Sequence, residues 1–216
     1  MSEQSKDIAT QKPRFDGPWK QILDLYFKNF MELCWPDKYS LIDWKKGVRM
    51  LDKELLKIDK EAAMGDGSVD KLIEIHCLSG ELTYLILHLE VQRSAQSHFA
   101  KRMFQYRYRL LDLHDKPIAS LALLIDANPS WRPTSYLQEV WGSSVEMKFP
   151  IIKLLDYQDR ARELEQSSNP FAHVILAQLA VNKKQDPEAR LETKFELTRN
   201  LYRLVCSIYL LELDRL

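Results

Sequence analysis

Two apolar runs constrain this chain most: LTYLILHLEVQ, residues 82–92, and PIASLALLID, residues 117–126. Both are short and continuous, the mark of strands buried inside a sheet rather than lying on its surface. Between them, residues 98–113 place Phe99, Met103, Tyr106, Leu110 and Leu113 on one helical stripe. A strand, a helix and a second buried strand predict a βαβ crossover with the two strands parallel in one sheet. Upstream, VDKLIEIHC is joined to the first run through LSGE and reads as its hairpin partner.

The remaining chain fits around this unit. Residues 1–14 are polar and read as a disordered tail. PWKQILDLYFKNFMELCWP predicts a helix opened by Pro18 and ended by Pro36. The stretch from Ser40 to Ala63 gives no firm pattern, and MGDGS, residues 64–68, reads as a loop. SYLQEVWGSSVEMKFP predicts two further short strands after the NPSWRP loop, and from Ile151 the pattern becomes helical. The expected architecture is therefore α/β: a mixed central sheet flanked by helices over residues 15–150, with a helical C-terminal region over 151–216. With 216 residues there is enough chain for one such domain.

The polar residues inside the first run are what point toward chemistry. Strand alternation puts Tyr84, Ile86, His88, Glu90 and Gln92 on one face, with Glu90 and Gln92 roughly 6.5–7 Å apart along the strand. A buried carboxylate needs a cation, a donor or a metal. If Leu78 pairs with Leu82 across Ser79–Gly80–Glu81, with Gly80 taking the left-handed position such a loop needs, Asp70 stands directly opposite Glu90. A two-residue loop would instead put the acids on opposite faces. Paired on one face, the two carboxylates make a hard oxygen site for Mg²⁺ or Mn²⁺, and Gln92 can orient a water or a phosphate oxygen. The plainer alternative is that Glu90 pairs with an arginine and Asp70 caps a turn.

From Arg93 to Leu111 there is no acid, while Arg93, Lys101, Arg102, Arg107 and Arg109 are cationic. On a helix Arg102, Gln105 and Arg109 are expected to share a face opposite the apolar stripe, suited to backbone phosphates of DNA. The bland alternative is a solvated face paired with acids elsewhere.

Lysine plus arginine and aspartate plus glutamate both number 31, so the net charge is zero. That argues against coating nucleic acid by overall charge and leaves a local basic face open. Three cysteines lie far apart without ligand spacing, and no apolar run reaches the length of a membrane span. A cytoplasmic protein with reduced thiols is expected.

The stretches FDGPWKQILDLYF, IDWKKGVRMLDKEL, VDKLIEI, LHLEVQ, FAKRMFQYRYRLLD, PIASLALLIDANPSWRP, EVWGSSVEMKFPIIKLLD and NPFAHVILAQLA occur in this order from Phe15 onward. Together they resemble the PD-(D/E)XK nuclease family transposases, the recombination-promoting nuclease group. The resemblance implies a restriction-endonuclease-like core that cuts DNA with a divalent metal. Asp70 falls on the family's first strand aspartate, and Glu90 and Gln92 fall on an E-x-Q version of its (D/E)-x-K pair. Asp52, Glu54, Asp16 and Lys20 also match residues typical of the group, without an assigned role. Position 92 departs from the broader superfamily, which has lysine there. That removes a cation able to stabilise developing charge. The chain also stops at Leu216, where relatives continue.

Three readings compete. The first is a metal-dependent DNA endonuclease using Asp70, Glu90 and Gln92, with Arg93, Lys101, Arg102 and Arg109 on the DNA. The second is an inactive nuclease fold serving as a nucleic-acid-binding or regulatory module. The third is an interaction protein whose C-terminal helices pack on a second copy. His88 reads as a hydrogen-bonded core histidine, or as a partner of Glu90. Trp131 reads as a loop anchor more readily than as a stacking residue.

Overall fold

The computed structural model describes residues 17–53, 68–78, 84–183 and 199; at residues 17, 18, 68–70 and 84 only the backbone is described. The expected N-terminal tail, Asp16, Glu54, the loop around Gly80 and, apart from residue 199, the expected helical region beyond residue 183 lie outside these residues.

The elements run α1 (Gly17–Cys34), α2 (Pro36–Tyr39), β1 (Val48–Met50), β2 (Ser68–His76), β3 (Tyr84–Gln92), α3 (Phe99–His114), β4 (Ile118–Leu124), β5 (Ser135–Val140), β6 (Ser143–Lys148) and β7 (Ile151–Lys153). A 3₁₀ turn (Leu154–Arg160), α4 (Ala161–Glu165) and α5 (Pro170–Lys183) follow. Five strands form one mixed sheet in the order β1-β2-β3-β4-β7. The β1–β2 and β2–β3 pairs are antiparallel, while β3–β4 and β4–β7 are parallel. This is the predicted α/β architecture, including the parallel pair bracketing a helix.

Helices cover both faces of the sheet. On one side Trp19, Leu23, Phe27 and Phe30 of α1 and Phe171, Val174 and Ile175 of α5 pack on Ile73, Leu87, Leu89, Leu121 and Leu123. Asn169 caps α5 by accepting the Phe171 N–H at 2.9 Å, and its amide donates to the Asn29 carbonyl of α1 at 3.1 Å. This is an N-cap directly before proline at the first helical position, and it also joins the two helices. On the other side α3 lays Phe99, Met103 and Leu110 against Leu72, Ile86, Ala122 and Leu124. Asp115, in the left-handed conformation, ends α3 by donating its N–H to Leu111 O. Among the described residues no helix is long and apolar enough to cross a membrane, and Cys34 and Cys77 carry free thiols.

Two expectations need correction. Residues 151–153 form a strand parallel to β4, not the start of a helix. Three residues are too few for an alternation to show, and it is pairing with β4 that fixes their conformation. Leu113 lies outside the buried stripe of α3 and is half exposed, because that stripe follows residues 99, 102, 103, 106 and 110.

The β5–β6 hairpin is a separate two-stranded sheet. Its turn is Trp141–Gly142, with φ of 52° and 79°. Positive φ at both positions is the geometry of a type I′ turn.

Leu89 is fully buried between the two helical layers. Leu89→Ala is expected to cost about 2–5 kcal/mol in urea unfolding, whereas Leu113→Ala should stay within about 0.5 kcal/mol.

Candidate functional site

The alternation of β3 sends His88, Glu90 and Gln92 toward α3, and all three are fully buried. The register pairs Asp70 with Glu90 and Ser68 with Gln92 on β2. It pairs Glu90 with Ala122 and Gln92 with Leu124 on β4. The predicted opposition of the two acids is therefore present in the backbone. Small Ala122 leaves room for the carboxylate on its other flank.

Glu90 meets Arg102, which lies one turn into α3. The Arg102 Nε donates to Glu90 Oε1 at 2.9 Å, and Nη2 donates to the same oxygen. Nη2 also donates to Gln92 Oε1 at 2.6 Å, and Nη1 donates to Gln96 Oε1 at 2.7 Å. Gln92 in turn donates through Nε2 to the Ser94 carbonyl at 2.8 Å. One buried guanidinium thus holds the carboxylate, the strand-end amide and the loop that leads into the helix. Its carbon sits 5.5 Å from the Phe99 ring centroid. Charge-assisted bonds of this kind are among the stronger ones in proteins.

This arrangement corrects the reading of the basic helix. Arg102 is 7% exposed and belongs to the buried stripe, so it cannot share an outward phosphate-binding face with Arg109. It stands three residues after Phe99 and four before Tyr106, and helical geometry turns it inward. Lys101, Gln105 and Tyr108 point outward, and Arg93, Arg107 and Arg109 are partly buried.

No protein-family model, curated protein or solved structure matches this chain.

His88 is the neighbour of Glu90 on the strand face. Burial, and then the Arg102 charge, lower its pKa to about 3, so it is neutral. Its ring lies 5.2 Å from that of Tyr106. Neither ring nitrogen has a hydrogen-bond partner among the described residues, and the same is true of Ser120 Oγ on the register-paired residue of β4. The expectation of a hydrogen-bonded histidine is not met there.

Asp52 and Lys20 belong to a different cluster. Lys71, on the α1 side of β2, is completely buried, and its Nζ binds Asp24 and, at 2.5 Å, Asp52. Lys20 reaches Asp52 at 3.5 Å, and the Leu72 N–H donates to its other oxygen at 3.3 Å. Asp24 and Lys71 were not foreseen. The available signal was Lys71 sharing the face of Ile73 and Ile75, a charge where alternation demands an apolar residue.

A third buried pair joins Lys153 of β7 to Asp126 at 2.6 Å. Trp131 lies beneath this lysine and meets Phe99 edge-on at 5.3 Å. It is a loop anchor, as its favoured reading held. Among the described residues no group of three or more His, Cys, Asp or Glu side chains gathers as a metal cage.

Arg102→Gln should be strongly destabilising, by roughly 3–5 kcal/mol, because it strips a buried carboxylate of its cation. Adding Glu90→Gln should recover part of that loss, with a coupling of about 0.5–3 kcal/mol in urea unfolding. A double-variant loss equal to the sum of the two single-variant losses would show that the pair is not coupled. Gln92→Lys, which sets an ammonium beside Arg102, should lower the urea midpoint, and combining it with Arg102→Gln should restore it.

Proposed function

We propose that the chain is a metal-dependent DNA endonuclease centred on Asp70, Glu90 and Gln92. The observation that supports this most is the register, which sets Asp70 opposite Glu90 with Gln92 next along the strand. This corner lies where the parallel strands β3 and β4 end, the edge at which open α/β sheets generally bind ligands.

The donor chemistry suits Mg²⁺ or Mn²⁺. Asp70 and Glu90 are hard carboxylate donors, the class that Mg²⁺ and Mn²⁺ prefer, and Arg102 holds Glu90 through Oε1. When bound, such an ion supplies an activated water and offsets charge on the phosphate. The residues of the chain do the positioning. Arg102 fixes the Glu90 carboxylate and the Gln92 amide together. After its bonds to Arg102 and Ser94, that amide retains one N–H and one lone pair with which to orient a water or a phosphate oxygen. Lys101 and Arg109 on α3, with Arg93 at the strand end, take backbone phosphates. We place the protein in the cytoplasm, where its thiols stay reduced.

A second reading rests on the same ion pair. A Glu90 balanced by Arg102 has less need of a metal, and the fold would then bind nucleic acid or regulate without cutting.

A plasmid-nicking assay with and without Mg²⁺ separates the two. Cleavage should require the ion, and Glu90→Gln should reduce it by about 10²–10³-fold, the size of losing one charge-stabilising group, with thermal unfolding still cooperative. Full metal-dependent activity in Glu90→Gln would mean that the centre lies elsewhere. DNA binding without cleavage under Mg²⁺ or Mn²⁺ would favour the inactive module. Lys101→Ala and Arg109→Ala should each flatten the log–log salt dependence of DNA affinity by about 0.9.

A further inference from the structure

Trp141 sits at a position it does nothing to stabilise. It is fully exposed, at 103% of its reference area, so it packs on nothing. Its φ of 52° is in the left-handed region, which disfavours bulky side chains; Asn, Asp and Gly are the residues suited to that turn position. The hairpin it tips also exposes Val140 and Val145. The register places Tyr136, Val140, Val145 and Met147 on the hairpin face turned toward α3, where Met147 packs with Phe99 and Met103.

That hairpin face and α3 enclose a groove of about 400 Å³. Across it runs a stack of near-parallel rings. Tyr136 lies 4.9 Å from Phe104 at 22°, and Phe104 lies 6.4 Å from Tyr108 at 20°. Tyr108 is the outer ring and is 57% exposed. Arg107 and Lys148 line the groove, and its one acid, Glu146, is ion-paired to Lys148 at 3.2 Å. The Arg107 guanidinium donates to the Ile118 carbonyl, a neutral partner that leaves its charge uncancelled. The lining therefore combines an exposed aromatic ring, Tyr108, with a positive charge left by Arg107, the pairing that holds single-stranded nucleic acid by stacked bases and neutralised phosphates.

We infer that the α3–hairpin groove binds a single-stranded stretch of DNA, its bases stacking on Tyr108 and Trp141 and its phosphates near Arg107 and Lys148. The choice of DNA rests on the proposed nuclease reading. The same helix that fixes Glu90 through Arg102 would carry the strand beside it, so the preferred substrate is DNA with an unpaired segment rather than a continuous duplex.

The test uses the full chain and a labelled oligothymidylate of about 12 nucleotides, within the span such grooves cover. Tyr108→Ala and Trp141→Asn should each weaken binding by about 5- to 150-fold, the range for losing one stacked base. Trp141→Asn relieves the turn, so its melting temperature should hold or rise while affinity falls, which no folding defect would produce. Unchanged oligonucleotide affinity in both aromatic variants overturns the inference. So does a shift from dimer to monomer in Trp141→Asn with affinity intact, since the hairpin would then join two copies. Aromatic-dependent binding with no cleavage of any DNA supports the groove and removes only the nuclease reading.

Discussion

A carboxylate placed at the centre of a sheet and covered by a helix has few ways to exist. Left alone it would take up a proton or disrupt the packing around it. Glu90 is held by Arg102, and much of this face of the molecule follows from that contact. Arg102 reaches the strand only if α3 crosses it with residues 99, 103, 106 and 110 facing inward, which is the stripe observed. The same guanidinium binds Gln92 and Gln96, so the end of β3 and the loop into α3 are set by the interaction that satisfies the acid. Charge neutralisation and helix placement are here one event.

The other face depends on a different kind of contact. Ile73, Leu87, Leu89, Leu121 and Leu123 meet α1 and α5 through apolar packing. The charged exception is Lys71, clamped by Asp24 of α1 and by Asp52 after β1. Among the described residues three buried cations, Arg102, Lys71 and Lys153, each have a carboxylate partner outside their own helix or strand. Such pairs gain little net stability over apolar packing, but breaking one is costly, so each fixes which elements meet. Lys71 also holds two acids, but at Glu90 the strand register sets the second acid, Asp70, directly opposite on the neighbouring strand. That difference sets it apart as a candidate centre.

Much of this was legible in the sequence because it rests on short-range periodicity. Alternation in residues 84–92 identified the strand and its polar face, and the apolar runs on either side of α3 identified the parallel pair. The hairpin register followed from one assumption about the loop, and the observed pairing of Asp70 with Glu90 agrees with it. Arg102 was misplaced because charge alone suggests an outward face, although its spacing from Phe99 and Tyr106 puts it beside the apolar stripe. Only the tertiary position of Glu90 makes an inward arginine favourable. Residues 151–153 were misread for a similar reason: a three-residue strand is specified by its neighbour β4, and nothing in its own pattern announces it. Lys71 left a sign in the strand alternation, but its partners come from α1 and from the poorly patterned stretch after it. No local window could assemble them.

The residue at position 92 takes its meaning from the same network. A glutamine amide is a donor at one end and an acceptor at the other. Here the acceptor faces Arg102 and the donor faces the Ser94 carbonyl, so both neighbours are satisfied by one side chain. A lysine has donors only. It could bind the Ser94 carbonyl but would confront the guanidinium with a like charge at hydrogen-bonding distance, in a buried setting where repulsion is poorly screened. Glutamine at 92 and arginine at 102 are thus two parts of one electrostatic solution: the positive charge beside Glu90 comes from the helix, and the strand supplies the neutral group that can stand next to it.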